Sequence, residues 1–375
     1  MTSPDRAGAV LTVDLDAVAA NWRRLNDRLP AGSECAAVVK ADAYGLGAGK
    51  VAPALAAAGC RTFFVAHVEE GVRLRSLLPS VAIFVFHGPA PGTESDFLAH
   101  RLTPVLNAPD QIERWGRFAA QRGGLPLEAA LHVDTGMARL GLAPADALAL
   151  ADDRRKLDGL RLVLLASHLA CADDPAHPLN RTQLRDFSAI AARFPGPGRS
   201  LANSSGMFLG PDWLFDLARP GAALYGVNPT PDHPNPMAPT VRLEGKIIQV
   251  REIDTPQSVG YGATHRAAGK ERIATVAVGY ADGYLRSLGN RGSGYLGDLR
   301  VPLVGRVSMD LATFDVSAAP EDAARPGAVI ELIGPRHTVD ALAAQAGTIG
   351  YEILTSLGNR YHRRYVGEKE AHERA

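Results

Sequence analysis

Short apolar runs recur through the first 225 residues, at 35–40, 63–67, 82–88, 103–107, 128–134, 161–169, 200–204 and 217–225. Helical patterns lie between them, for example at 50–58, 69–78, 111–121, 145–153 and 183–194. Runs that are apolar without alternation suit strands covered on both faces, which means a parallel sheet flanked by helices. Eight such strands predict a closed (β/α)8 TIM-type barrel. A doubly wound open sheet is the runner-up, but no Gly-x-Gly-x-x-Gly follows the first strand, so its dinucleotide-binding form is disfavoured.

The ends of the chain read differently. Residues 9–13 form a short strand, and Asp14 is a plausible N-cap for a helix with Leu15, Val18, Trp22, Leu25 and Leu29 on one face. After Tyr225, five prolines (Pro229, Pro231, Pro234, Pro236, Pro239) crowd a linker at 229–239. Beyond it, β-branched runs at 240–254, 273–280, 300–316 and 328–333 predict a mostly-β domain, with helix confined to 338–346 and 351–357. The expected organisation is a barrel at 14–228, the linker, and a β domain at 240–375 into which residues 1–13 pair. A charged tail at 368–374 reads as frayed.

Lys plus Arg equals Asp plus Glu at 40 each, and no basic block stands out, which argues against nucleic acid. Three scattered cysteines form no metal-ligand spacing and suit a reducing compartment. No apolar run is long enough to span a bilayer. These features predict a cytoplasmic protein without a membrane segment or a metal.

Polar residues gather where the strands end: Lys40, His67, His87, Asn107, Asp134, His168, Asn203 with Ser204, and Arg219. In a barrel that end is where active sites are built. The stretch Cys35-Ala-Ala-Val-Val-Lys40-Ala-Asp-Ala-Tyr44-Gly-Leu-Gly47 carries the sharpest signal. A lone lysine after a strand ordinarily snorkels to water. Beside a glycine-punctuated loop that can approach a phosphate, it also suits a Schiff-base lysine.

That stretch closely resembles the pyridoxal-phosphate lysine motif of the alanine racemases. Eight further blocks follow in the family's order, beginning at His132, Ser167, Ala202, Arg219, Gly260, Gly279, Gly305 and Gly350. The resemblance implies a homodimeric racemase that interconverts L- and D-alanine by a two-base mechanism with pyridoxal phosphate, supplying D-alanine for the cell wall. Lys40 would hold the cofactor and act as one base, and Tyr261 as the other. A free phenol titrates near pH ~10, too high for an efficient base near neutrality. Cationic surroundings and a hydrogen bond to His168 would bring it down.

By the same resemblance Arg219 faces the pyridine nitrogen. A guanidinium has no site for that proton, so the electron sink stays moderate and racemisation is favoured over transamination. Tyr44, Asn203, Ser204, the backbone of Gly221 and Ala222, and Tyr351 would surround the phosphate. Arg139 would contact the cofactor's phenolic oxygen and the substrate carboxylate, which Met309 helps to hold. Asp173, Tyr280, Arg286, Arg306 and Ile349 match the family's entrance corridor. Tyr261 and Met309 would come from the partner chain.

Two positions depart from the family. Where many members carry a carbamylated lysine, seven residues before the arginine, this chain has His132. An imidazole cannot form that carbamate, so Arg139 is expected to find an acceptor nitrogen on His132, a nearby anion, or Asp134. Leu46 stands where the family often has histidine, leaving local packing open. Competing readings are a broader-specificity racemase, a decarboxylase of the same fold type, and a non-catalytic cofactor-binding barrel. The Tyr261 block and Arg219 argue against the decarboxylase, and the second domain with Tyr261 and Met309 argues against the non-catalytic barrel. One methylene is worth only about 1–3 kcal/mol of discrimination in an apolar pocket, so the sequence leaves substrate range open.

Overall fold

The computed structural model describes residues 4–367, so the 368–374 tail lies outside the described residues. Strands Ala37–Val38, Thr62–Val65, Ala82–Val85, Thr103–Leu106, Leu127–His132, Leu160–Ala166 and Gly198–Ser200 form one parallel seven-stranded ladder. The last barrel strand, Leu217–Ala218, pairs in parallel with Glu34–Cys35, just ahead of the first ladder strand. On its other side the Arg219 N–H donates to Ala202 O at 2.9 Å. These bonds close the ring, and the barrel rather than the open sheet is the fold.

Several boundaries differ from the periodicity, for local reasons. The last strand stops at Ala218 because Pro220 offers no N–H to a ladder, and Ala222–Tyr225 turns into a 3₁₀ segment. The first helix spans Leu15–Asn26, with Asp14 Oδ1 accepting from the Ala17 N–H at 2.9 Å. Leu29 lies past its end because it precedes Pro30, where the α conformation is disfavoured.

The β domain is built on the long strand Val241–Ile253, which pairs antiparallel with Glu271–Val276, Val329–Ile333 and Ala9–Asp14. The N-terminal strand also runs parallel to His362–Val366. It therefore belongs to the second domain's sheet, and the chain enters the barrel only afterwards. Helices Val339–Ala346 and Gly350–Ser356 complete this domain. The proline-rich crossover is pinned, not loose. Asn21 Nδ2 donates to Ala238 O at 2.9 Å, and Asn21 Oδ1 accepts from the Ala238 N–H at 2.8 Å. Among the described residues no helix is long and apolar enough to cross a membrane.

The β domain also grips the loop after Lys40. Arg363 donates to Gly45 O at 2.6 Å and the Tyr365 hydroxyl to Leu46 O at 3.0 Å. Leu46 is fully buried, so its departure from the family is a packing choice. A Cβ at Gly45 would lie 2.5 Å from Leu354 O, and φ there is +81°, so both space and backbone demand glycine.

Candidate active site

Lys40 does not end a strand, as its apolar run suggested. The ladder stops at Val38, and residues 41–44 wind into a left-handed turn with φ between 52° and 55°. Left-handed helix costs L-residues roughly 1–2 kcal/mol each, so something must hold the turn. Glu70 supplies part of that hold. Its Oε1 accepts from the Ala41 N–H at 2.7 Å, and its Oε2 from Ala66 and His67 at 2.8 and 3.1 Å. The carboxylate thus joins the lysine turn to the next barrel strand. Glu70→Gln puts a donor where an acceptor is needed, and is expected to lower stability by about 1–3 kcal/mol, read from urea unfolding. An unchanged midpoint would show that Glu70 is not the clasp.

Lys40 opens onto a cavity of about 410 Å³ at the C-terminal mouth of the barrel. Its lining includes Phe86, His87, Asn107, His132, Arg139, His168 and Arg219. Lys40, Arg139 and Arg219 are cationic, and no carboxylate among the described residues lines the wall. Lys40 Nζ sits 5.8 Å from the centroid of the Phe86 ring. Burial and then Arg139 hold the lysine below its usual pKa, against a smaller opposing pull from Glu70. Burial, Arg219, Arg139, His132 and Lys40 together push His168 well below the ordinary histidine range. Arg219 is buried and is held by the Ser200 hydroxyl and by Ser167 O, and burial alone brings its pKa down to about 10. An anionic ligand suits this cavity.

Beside it lies a glycine cradle. The Ser204 hydroxyl accepts from the N–H groups of Gly221 at 3.0 Å and Ala223 at 3.2 Å. Ala222 is buried, and no described residue accepts from its N–H. A Cβ at Gly221 would lie 2.3 Å from the Tyr44 hydroxyl, so any side chain there would fill the cradle. Tyr44 in turn lies 6.1 Å, ring to ring, from Tyr351. The free Ala222 N–H, the Ser204 hydroxyl proton and two nearby phenols fit a phosphate, and an adjacent lysine fits a carbonyl carbon. Asn203 is spent elsewhere: its Oδ1 accepts from Gly206 and its Nδ2 donates to Leu169 O.

The expected bond between His132 and Arg139 is absent. His132 Nδ1 lies 2.8 Å from Asn107 Oδ1 instead. Arg139 is exposed at the rim and makes no hydrogen bond or ion pair among the described residues. Asp134 is no substitute, because its Oδ1 accepts from Gly136 and Met137 in a tight turn.

Of the remaining expected residues, all but Asp173 belong to the β domain. The Arg306 guanidinium packs over Gly262, next to Tyr261. The N–H groups of Tyr280 and Ala281 donate to Ser308 O and Met309 O at 3.0 Å, tying those loops together. Tyr261 is 73% exposed, Met309 54% and Ile349 61%. Arg286 is exposed too. Asp173 is exposed on the barrel side, close enough to Tyr351 to add to the rise that burial gives that phenol's pKa. No described residue of the β domain lines the cavity of Lys40.

Sequence reasoning missed Glu70, Phe86 and the bracing serines, and gave Asn107 no role. For Glu70 a signal existed, since a glutamate three residues into a helix that follows a strand is a capping pattern. Phe86 and Ser200 carried none, being ordinary strand residues until the barrel closes.

Lysine, cradle and cationic cavity are what a barrel enzyme with a lysine-anchored, phosphorylated cofactor requires. Comparison with known proteins narrows the class. Residues 13–229 match the family described as alanine racemase, N-terminal domain, and residues 240–365 match alanine racemase, C-terminal domain. The alanine racemase of Rhodospirillum rubrum is 60% identical over 99% of both chains. The catabolic alanine racemase of Mesorhizobium japonicum is 49% identical, over 96% of this chain and 94% of that one. The crystal structure of alanine racemase from Bartonella henselae with covalently bound pyridoxal phosphate superposes with a TM-score of 0.92 at 40% identity, covering 96% of this chain and all of that one. The chain belongs to the alanine racemase family.

Proposed function

We infer that the chain is a pyridoxal-phosphate-dependent alanine racemase whose two bases, Lys40 and Tyr261 of the partner subunit, work on opposite faces of the bound amino acid. One observation carries the shared site: the cavity around Lys40 holds no described β-domain residue, while Tyr261 and Met309 stand exposed on that domain. An exposed phenol and an exposed methionine on one domain suit a surface that a second copy covers.

Pyridoxal phosphate, when bound, supplies a conjugated ring that takes up the electron pair left on Cα as its proton departs. Lys40 anchors it, and the Ala222 N–H, the Ser204 hydroxyl, Tyr44 and Tyr351 hold its phosphate, with the Gly221 N–H fixing Ser204 in place. Arg139 swings from the rim to meet the substrate carboxylate, with Met309 of the partner subunit closing over it. The lowered pKa of Lys40 lets its amine take the Cα proton on one face, and the partner's Tyr261 returns one on the other. Arg219, fixed by Ser167 and Ser200, donates to the pyridine nitrogen and offers no proton-accepting oxygen there. The proton therefore goes back to Cα. Asp173, Tyr280, Arg286, Arg306 and Ile349 line the approach. Free Cys35, Cys60 and Cys171 support work in the reducing cytoplasm.

Mixing subunits tests the shared site. Lys40→Ala and Tyr261→Phe are each expected to be inactive alone. Mixed under conditions that exchange subunits, they should regain racemisation by optical rotation, because some sites receive both intact residues. A mixture that forms heterodimers and stays dead would place both bases in one chain.

A further inference from the structure

Asn107 follows the strand Thr103–Leu106 and lines the cavity. Its Nδ2 donates to Phe86 O at 2.8 Å and to Val105 O at 2.9 Å. Both partners only accept, so the orientation of the amide is settled, and Oδ1 is the atom that faces His132 Nδ1 at 2.8 Å. An amide oxygen cannot donate. The proton of that bond sits on Nδ1, and in the neutral ring Nε2 keeps its lone pair. The charged and titratable groups around the imidazole are Arg219, Arg139, Asp134 and His168. Burial and the two guanidiniums outweigh Asp134, bring the ring's pKa down to about 4, and keep it neutral.

His132 is thus a neutral acceptor in a cavity furnished with donors. Arg219 is fixed in place by Ser167 and Ser200 and faces the pyridine nitrogen in the reading above, and Lys40 is the covalent anchor. Arg139 is the cation left without a partner among the described residues. We propose that Asn107 is a positioning residue that locks His132 in its Nδ1–H tautomer, so that Nε2 accepts an N–H of Arg139 when anionic ligands draw that side chain over the cavity. A neutral acceptor orients the guanidinium without cancelling its charge, which stays available for the anionic oxygens of cofactor and substrate. The docking of Arg139 rests on the function proposed above, whereas the tautomer does not.

Nitrogen NMR of the holoenzyme labelled with 15N-histidine tests the lock, with His132→Phe assigning the signal. The expected spectrum shows a protonated Nδ1 and an unprotonated Nε2, and Asn107→Ala shifts the proton toward Nε2. Both Asn107→Ala and His132→Phe should raise KM for alanine about ten- to hundredfold, the range for a lost hydrogen bond to a charged group, with a smaller change in kcat. The double variant should be little worse than either single one, because the residues act in series. A wild-type proton on Nε2 overturns the lock, whether or not Asn107→Ala folds. The expected tautomer with unchanged KM in His132→Phe overturns the docking of Arg139. The expected tautomer in a protein that does not racemise alanine supports the lock, and the functional reading is then what fails.

Discussion

Lys40→Ala is expected to abolish racemisation and to leave the barrel folded. Losing a positioned acid–base group alone costs roughly 10²–10⁴ in rate. Here the covalent anchor goes as well, so the loss should lie at or beyond the upper end. Stability should change little, because Lys40 is only partly buried and its side chain makes no hydrogen bond among the described residues. The purified variant should lack the visible absorbance that hydroxylamine releases from the parent protein. The parent, given L-alanine, should lose optical rotation without forming pyruvate. A variant that keeps covalently bound cofactor would mean that another lysine is the anchor.

Arg219→Glu should divert the reaction as well as slow it. The guanidinium is buried and spends two of its donors on Ser167 O and the Ser200 hydroxyl. A carboxylate cannot donate to Ser167 O, but it can share a proton with a pyridine nitrogen and deepen the electron sink. Racemisation is expected to fall by about 10² or more, the cost of losing a preorganised charged donor, while pyruvate appears from alanine. Arg219→Gln is the matched control. Its amide can still donate to Ser167 O but brings no carboxylate, so it should lose rate without making pyruvate. Equal loss in both variants, with no pyruvate in either, would leave Arg219 a structural residue.

Much of the fold was legible because its signals are local and repeated. Eight apolar runs separated by helical patterns predict a closed barrel, since strands buried on both faces need cover on both faces. Asp14 predicted a cap, and its carboxylate accepts from Ala17. The place of several site residues was legible where the motif is long. Lys40, Tyr44 and Gly221 are adjacent to the cavity or its cradle because strand ends and glycine turns carry their own signatures.

Other features depended on partners far away in sequence. The apolar run into Lys40 reads as a strand, yet Glu70 and the grip of Arg363 and Tyr365 on Gly45 and Leu46 accompany a left-handed turn there. Local propensity opposes that conformation, so only contacts across the fold can select it. His132 was expected to serve Arg139 directly. Its strand neighbour Asn107 claims Nδ1 first, a choice fixed by two backbone carbonyls that no spacing rule reveals.

The sequence by itself determined the barrel, the β domain and the lysine that lines the cavity, because periodicity and a long motif are properties of neighbouring residues. The tertiary structure alone decided which way the lysine turn winds, which atom of His132 carries the proton, and that Tyr261 stands apart from the cavity of its own chain. Those depend on where distant backbone donors and acceptors meet, and that is set only when the ring closes and the second domain docks on it.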